Sequence, residues 1–132
     1  MRRASPSGVR ARPGSAEVVH REPGLAVVEV RGEHDLSTEP ALTRALEQAA
    51  ERANVLADLS DCTFADSTAL TALIKAAQAV QARGDLFAVA IPPRARQVAR
   101  VAQMIGLSDL LALHESRDAA LEALALKASK PT

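Results

Sequence analysis

The fold class is decided by residues 54–91, which read NVLADLSDCTFADSTALTALIKAAQAVQARGDLFAVAI. The nearly continuous apolar run at 54–59 predicts a strand that is buried on both faces, as in parallel sheets. Residues 67–83 carry apolar side chains every three to four positions, which predicts a helix that Gly84 ends. A second apolar run at 86–91 predicts another strand. Strand, helix and strand in this order indicate a crossover between parallel strands.

The sequence before this unit predicts two further strands and a helix. Valine-rich runs at 16–20 and 25–31 predict strands that a Pro-Gly turn joins into a hairpin. Residues 32–37 are predicted to form a polar loop. Ser37 or Thr38 would cap the following helix, because a side-chain oxygen there can accept hydrogen bonds from the unpaired N–H groups of the first turn.

The sequence after the unit predicts a third helix, a short strand and a last helix. Consecutive prolines at 92–93 end the preceding strand and are predicted to start the third helix. A strand is predicted at 110–113, and Ser116 is predicted to cap the last helix. Within the central unit itself, residues 60–66 are predicted to form a loop between the strand and the helix. Together these elements predict a single α/β domain with a small, mostly parallel mixed sheet and about four helices.

Composition separates one domain from two short tails. The chain has 132 residues, of which 48% are hydrophobic, and this is enough for one apolar core. Residues 1–15 carry four arginines and no acid, whereas the remainder carries four more acidic than basic residues. We therefore predict a disordered basic tail at 1–15, a domain at 16–127 and a disordered C-terminus at 128–132.

Composition also disfavours several partners and locations. No run approaches the roughly 18 apolar residues of a membrane-spanning helix, and no apolar segment follows Arg2-Arg3. We therefore expect a cytoplasmic protein that does not contact a membrane. The sequence contains two aromatic residues, and its domain is mildly acidic, which disfavours direct binding to nucleic acid.

The sequence contains no recognisable constellation of catalytic or metal-binding residues. Three histidines and one cysteine are spread along the chain: His20, His34, Cys62 and His114. They lack metal-ligand spacing, so we interpret the histidines as scattered surface residues. Glycine-rich phosphate and dinucleotide motifs are absent, and Asp58 and Asp61 have no accompanying base or nucleophile. We expect no enzyme activity, no cofactor and no metal.

The segment Asp66-Ser67-Thr68 stands at the start of the helix and permits two interpretations. In the simpler one, Asp66 caps the helix and both hydroxyls are ordinary first-turn residues. Alternatively, an exposed hydroxyl there can carry a phosphoryl group, which the free N–H groups and the positive end of the helix dipole would favour. A partner docked over the same place would be displaced, because about two negative charges would appear beside Asp66.

Four short motifs occur in order along the chain. They are Gly32-Glu33-His34-Asp35, Val55-Leu56-Ala57-Asp58-Leu59-Ser60, Asp66-Ser67-Thr68-Ala69-Leu70 and Gly106-Leu107. They resemble the G-E-x-D, V-x-x-D-L-S, D-S-[ST]-G-L and G-L motifs of the STAS domain family, specifically of the bacterial anti-sigma factor antagonists. The resemblance covers roughly residues 17–125. It has one departure, because Ala69 replaces the glycine of the third motif.

The resemblance implies a regulator that works by partner switching. In the family, an anti-sigma factor with an ATP-using kinase fold phosphorylates the hydroxyl after the motif aspartate. That residue is Ser67 here, with Thr68 as the second choice. The unphosphorylated antagonist binds the anti-sigma factor, and the phosphorylated form releases it. The resemblance assigns Asp35, Asp66, Ser67, Thr68 and Ala69 to the partner-binding surface, and it assigns ATP to the partner.

A rival interpretation follows from the same resemblance. STAS-like domains also serve as non-catalytic scaffolds or regulatory subunits of stress-sensing and lipid-transport assemblies. The retained Asp66-Ser67 pair favours the antagonist. The extra methyl of Ala69 is expected to reduce the steric complementarity between this surface and a partner, or to alter recognition by a kinase.

Overall fold

Six strands and four helices alternate along residues 13–51 and 53–129, the part of the chain that this computed structural model describes. The strands are β1 (Ser15–Glu22), β2 (Leu25–His34), β3 (Asn54–Asp58), β4 (Cys62–Ala65), β5 (Phe87–Ala90) and β6 (Ala112–His114). The helices are α1 (Glu39–Ala49), α2 (Ser67–Ala82), α3 (Arg96–Met104) and α4 (Arg117–Ser129). Two 3-10 turns, Leu36–Thr38 and Leu107–Asp109, precede α1 and β6.

The strands form one mixed sheet in the order β1-β2-β3-β5-β6, and β4 pairs with the end of β2. Strands β1 and β2 are antiparallel, whereas the other pairs in the described chain are parallel. The β3-α2-β5 unit forms the predicted crossover, in which Val55 lies opposite Phe87. The prediction of an α/β domain with a mostly parallel mixed sheet and four helices is confirmed.

The stretch 60–66, which was expected to be a loop, contains strand β4. This strand runs parallel to the last residues of β2, with Gly32 opposite Cys62 and His34 opposite Ala65. Strand β2 accordingly extends to His34 and includes part of the predicted loop at 32–37. The sequence pattern did not predict this pairing, because four residues are too few to show a periodicity and the partner strand is distant in sequence.

Two residues of the predicted N-terminal tail, Pro13 and Ser15, pair with β2. Ser15 opens β1 opposite Arg31, and Pro13 forms an isolated parallel bridge with Glu33. These residues belong to the sheet because their backbone groups extend the pairing with β2. The rest of the predicted tail, residues 1–12, lies outside the described residues.

The C-terminus of α2 and the N-terminus of α4 have the predicted caps. Gly84 has a left-handed backbone, with φ at +88°, just after the last turn of α2. The Ser116 hydroxyl accepts a hydrogen bond from the backbone N–H of Ala119 at 3.0 Å, as expected for a cap. Helix α4 then continues through Ser129, two residues beyond the predicted end of the domain. Residues 130–132 lie outside the described residues.

Helix α3 and strand β6 both begin later than predicted. The prolines at 92–93 lie in a turn that the bond from Ala95 N–H to Pro92 C=O closes, so the helix begins at Arg96. Strand β6 begins at Ala112 because the chain before it is still engaged in the preceding 3-10 turn.

Helices cover both faces of the sheet and produce two apolar clusters of unequal size. The larger cluster lies under α1, α2 and α3, and its bulkiest members include Leu42, Leu46, Leu59, Leu70 and Leu73. The smaller cluster lies under α4 and consists of Val27, Leu56, Ala88, Ala90, Ala120 and Leu124. Full burial of one leucine contributes about 1.5–3 kcal/mol, so the larger cluster dominates the stability of the domain. No helix within the described residues is long and apolar enough to cross a membrane.

A cluster of charged side chains fastens the start of α4 to the sheet. Arg117 Nη1 lies 2.9 Å from Glu29 Oε2 and 3.4 Å from Asp58 Oδ2. Glu29 also accepts a hydrogen bond from Arg31, and this bond, with a smaller contribution from Arg117, holds the pKa of Glu29 below its usual value despite partial burial. Asp58 is buried, and its carboxylate is bound by the Arg117 guanidinium and the Ser60 hydroxyl. Its role is therefore structural.

Two truncations test the revised N-terminal boundary. Removal of residues 1–12 is expected to shift the thermal midpoint by less than about 2 °C, because their composition offers little apolar surface to bury. Removal of residues 1–15 also deletes the Ser15–Arg31 pairing and should lower the midpoint by about 3–5 °C, roughly 1 kcal/mol. Differential scanning calorimetry of both chains gives the comparison, and equal midpoints would contradict the revised boundary.

Candidate functional site

The segment between β4 and α2 is a capped helix start. Asp66 has an extended backbone, and its carboxylate accepts a hydrogen bond from the N–H of Ala69 at 3.0 Å. The Asp66 carbonyl accepts the Leu70 N–H at 3.2 Å, which is the first bond of the helix. The predicted role of Asp66 as a cap is confirmed. The acid is therefore fixed at the positive end of α2.

The three residues after Asp66 differ in accessibility. Ser67 is exposed, Thr68 is half-buried, and Ala69 is 2% exposed. The serine hydroxyl is therefore more accessible to a partner or a kinase than the threonine hydroxyl. The sequence led us to expect that the Ala69 methyl would contact a partner. Instead it packs into the larger apolar cluster, so it is not available for that contact.

Asp35 organises its own loop, which sequence reasoning described only as polar. Its Oδ1 accepts hydrogen bonds from Ser37 N–H at 2.9 Å and from Ser37 Oγ at 2.6 Å. The Asp35 N–H donates to Thr38 Oγ1 at 3.1 Å, which completes a capping box on the 3-10 turn. These bonds to Ser37, with smaller contributions from Thr38 and His34, hold the pKa of Asp35 below its usual value. Asp35 is exposed and ionised at neutral pH.

The predicted caps of α1 are only partly correct. Thr38 does occupy the residue before the helix, but its side chain makes no capping bond to α1. Ser37 lies inside the 3-10 turn. Their hydroxyls are already engaged with Asp35, which caps the preceding 3-10 turn.

Parallel pairing between β2 and β4 brings the two acidic segments together. His34 lies opposite Ala65, and the Asp66 N–H donates to the His34 carbonyl at 3.2 Å. Asp35 and Asp66 each follow one of these paired residues directly, so both leave the same edge of the sheet. The Asp35 loop and the Asp66-Ser67 segment therefore lie at one edge of the sheet.

The surface that carries these acids also exposes two large apolar side chains. Leu36, in the 3-10 turn, is 73% exposed, and Phe64, on β4, is 39% exposed. Phe64 lies opposite the exposed Glu33 in the pairing of β4 with β2. Apolar side chains rimmed by charge are typical of a protein interaction site. We call the surface formed by Glu33, Asp35, Leu36, Phe64, Asp66 and Ser67 the switch surface.

A side chain from α3 protects the free edge of β4. Gln97 Oε1 accepts the Ala65 N–H at 2.9 Å, and Gln97 Nε2 donates to the Ala65 carbonyl at 3.0 Å. The amide therefore replaces a neighbouring strand at this residue. Helix α3 is thus linked by hydrogen bonds to the residue that precedes Asp66.

Among the histidines, His34 does not match its sequence interpretation. Its side chain is 1% exposed, whereas a scattered surface residue was expected. From Val28 onward alternate residues of β2 are buried, namely Val28, Val30, Gly32 and His34. Strand alternation would have predicted this burial if β2 had been extended beyond Arg31.

The remaining candidate groups offer no catalytic arrangement within the described residues. No cluster of three or more histidine, cysteine, aspartate or glutamate side chains there could hold a metal ion. Burial raises the pKa of the Cys62 thiol to about 11, so this thiol stays protonated at neutral pH. Asp61 Oδ2 lies 3.7 Å from Arg31 Nη1. Asp61 and the buried Asp58 therefore have different partners and do not act as a pair.

Comparison with known families identifies the domain. A family model described as Mlab, STAS domain matches residues 18–115. The chain belongs to the STAS domain family. The resemblance inferred from the four motifs is therefore confirmed. No curated protein matches the sequence.

Several solved structures share this STAS fold. An anti-sigma factor antagonist from Mycobacterium paratuberculosis is 26% identical, with a TM-score of 0.76, and the match covers 92% of this chain and 98% of that chain. An anti-sigma-factor antagonist (STAS) domain protein from Planctomyces limnophilus is 20% identical, with a TM-score of 0.67, over 84% and 98% of the two chains. The phosphorylated Bacillus cell fate determinant SpoIIAA is 12% identical, with a TM-score of 0.60, over 83% and 98%. At these lower identities, the last two show the fold alone.

Two substitutions at Asp66 separate its cap from its charge. Asp66→Ala should cost about 1 kcal/mol of unfolding free energy, because the Ala69 N–H loses its acceptor. Asp66→Asn keeps an acceptor oxygen and should remain close to the parent. Urea unfolding of the three chains measures the difference, and an alanine variant as stable as the parent would contradict the capping role.

Proposed function

We propose that this STAS domain is an anti-sigma factor antagonist that binds an anti-sigma factor kinase and is released when Ser67 is phosphorylated. The observation that carries the proposal is the position of Ser67, exposed at a capped helix start beside the loop of Asp35. The similarity to the Mycobacterium paratuberculosis antagonist supports it. In this proposal the chain is not an enzyme, works in the cytoplasm, and leaves ATP binding to its partner.

The chemistry of the helix start explains how phosphorylation could act without unfolding the domain. A phosphoryl group on Ser67 would meet the first-turn N–H groups of α2 and the positive end of its dipole. Because Ser67 is exposed, the added group would displace no apolar contact. The domain would therefore accept about two negative charges at little cost, while a partner lying over Ser67 would be repelled.

The switch surface predicts the chemistry of its partner. Glu33, Asp35 and Asp66 give the surface negative charge, and Leu36 and Phe64 offer apolar contacts. A partner with an apolar patch inside a basic rim would fit both features. Phosphorylation would then add charge at the centre of a contact that is already strongly acidic on this side.

Substitutions at Ser67 test partner switching. Ser67→Ala should bind the anti-sigma factor whether or not ATP is present, whereas Ser67→Asp should bind about tenfold or more weakly. Both variants should unfold within about 0.5 kcal/mol of the parent, because the side chain is exposed. Titration calorimetry with the anti-sigma factor captured from a lysate of the source cells gives the affinities.

Mass spectrometry of the parent after incubation with that partner and ATP identifies the phosphorylated residue. Thr68→Val serves as the matched control, since it removes the neighbouring, half-buried hydroxyl and should still be phosphorylated. Phosphate on Thr68 with Ser67 unmodified would refute the assignment. A Ser67→Asp variant that fails to fold would show that the residue is structural.

Asp35 is tested best by removing its charge while keeping its hydrogen bonds. Asp35→Asn retains an oxygen that can accept the Ser37 bonds, whereas Asp35→Ala also loses the cap and should be destabilised by about 1 kcal/mol. Asp35→Asn should slow association with the anti-sigma factor at low salt and lose part of the salt dependence of the parent. Asp118→Asn, an exposed acid on α4, is the control. Equal association rates for Asp35→Asn and the parent would place the interface elsewhere.

A second candidate function is a non-catalytic STAS subunit of a larger assembly. It is favoured by the description of the matching family model, which is Mlab rather than anti-sigma factor antagonist. Under this function the switch surface would bind a constant partner, and its affinity would not depend on ATP. The effect of ATP distinguishes the two candidates, because only partner switching predicts that ATP weakens binding of the parent and leaves binding of Ser67→Ala unchanged.

A further inference from the structure

We propose that His34 is the positioning residue of the switch surface, with its ring held through a proton on Nε2. Its side chain fixes the loop of Asp35, and its main chain fixes Asp66. The inference rests on the proposed function of that surface and names the buried group that determines its shape.

The hydrogen-bond partners of the ring place a proton on Nε2. Nε2 lies 2.9 Å from the Arg31 carbonyl and 3.1 Å from the Ser15 carbonyl. Carbonyl oxygens only accept hydrogen bonds, so Nε2 must carry the proton. Nδ1 lies 3.0 Å from the Thr38 hydroxyl oxygen, which itself donates to the Asp35 carbonyl at 3.2 Å.

These bonds connect the sheet to the Asp35 loop. The Thr38 hydroxyl lies in hydrogen-bond contact with Nδ1 of His34 and accepts the Asp35 N–H at 3.1 Å. The other ring nitrogen is bound to backbone carbonyls of β1 and β2. A continuous chain of hydrogen bonds therefore runs from Ser15 through His34 and Thr38 to the backbone of Asp35.

The main chain of His34 holds the second half of the switch surface. Its carbonyl accepts the Asp66 N–H at 3.2 Å, next to the pairing of His34 with Ala65. Asp35 and Asp66 are thus attached to the side chain and the main chain of one residue. A shift of this residue would alter the separation of the two carboxylates, which a partner must match.

Tight packing keeps the ring in this orientation. A Cβ atom added at Gly14 would lie 2.9 Å from Cε1 of His34 and 2.3 Å from the carbonyl oxygen of Glu33. Only glycine lets the start of the chain before β1 lie against the ring at this distance. Because His34 is 1% exposed, it cannot touch a partner and acts only through Asp35 and Asp66.

The proton on Nε2 is tested by NMR on the full chain. The ¹⁵N shifts of the His34 ring should show a protonated Nε2 at neutral pH. A protonated Nδ1 with a bare Nε2 would overturn the proposal, because two carbonyls would then face a nitrogen without a hydrogen.

Hydrogen exchange tests the positioning role. Thr38→Val should speed exchange of the Asp35 amide about tenfold relative to the Val55 amide of β3, and Thr38→Ser should restore it.

His34→Leu should speed exchange at both Asp35 and Asp66. In His34→Gln, an amide nitrogen can replace Nε2, and Asp66 should remain near the parent. Equal acceleration at Val55 in His34→Leu would indicate a loss of global stability alone and would overturn the proposal.

Affinity for the captured anti-sigma factor provides an independent measurement. His34→Leu should bind about tenfold more weakly than the parent, and His34→Gln should recover most of that loss. Undiminished binding by His34→Leu would overturn the positioning role. A parent chain that captures no anti-sigma factor would refute the proposed function, while the NMR measurements would still decide the role of His34 in the loop.

Discussion

The pairing of the last residues of β2 with β4 is the contact on which the switch surface depends. Strand β2 lies beside β3 along residues 25–29 and beside β4 along 32–34, so one strand serves two parallel partners. The second pairing is short, yet it sets the position of every residue that leaves this edge. Without it, the loop of Asp35 and the start of α2 would be independent loops. With it, both acids follow hydrogen-bonded neighbours.

Two pairs of acids have different roles in this fold. Glu29 and Asp58 lie beside Arg31 and Arg117, and their charges are largely neutralised by these partners. Asp35 and Asp66, by contrast, use their carboxylates to accept backbone hydrogen bonds at the start of a turn and a helix. A cap satisfies backbone N–H groups but leaves the full negative charge at the surface. The switch surface is consequently acidic even though its acids are well ordered.

Rigidity of this surface has several independent sources. Gln97 covers the edge of β4, Asp66 caps α2, and the Asp35 capping box closes the 3-10 turn. The buried ring of His34 connects that turn to β1. A partner that meets a preformed surface loses less conformational entropy on binding. A change of charge at Ser67 would then act on association directly, since the surrounding structure has little freedom to absorb it.

The sequence by itself determined the β3-α2-β5 unit, the end of α2 at Gly84 and the caps at Asp66 and Ser116, because each depends on residues within a few positions of one another. It also indicated the family, since its motifs are local. The three-dimensional structure alone decided β4, the burial of His34, the burial of the Ala69 methyl and the place of Ser15 in the sheet. Each of these depends on contacts between residues far apart in the chain, such as Ser15 with His34 or His34 with Ala65. Local periodicity carries no information about such contacts, because they form only when separate elements pack together.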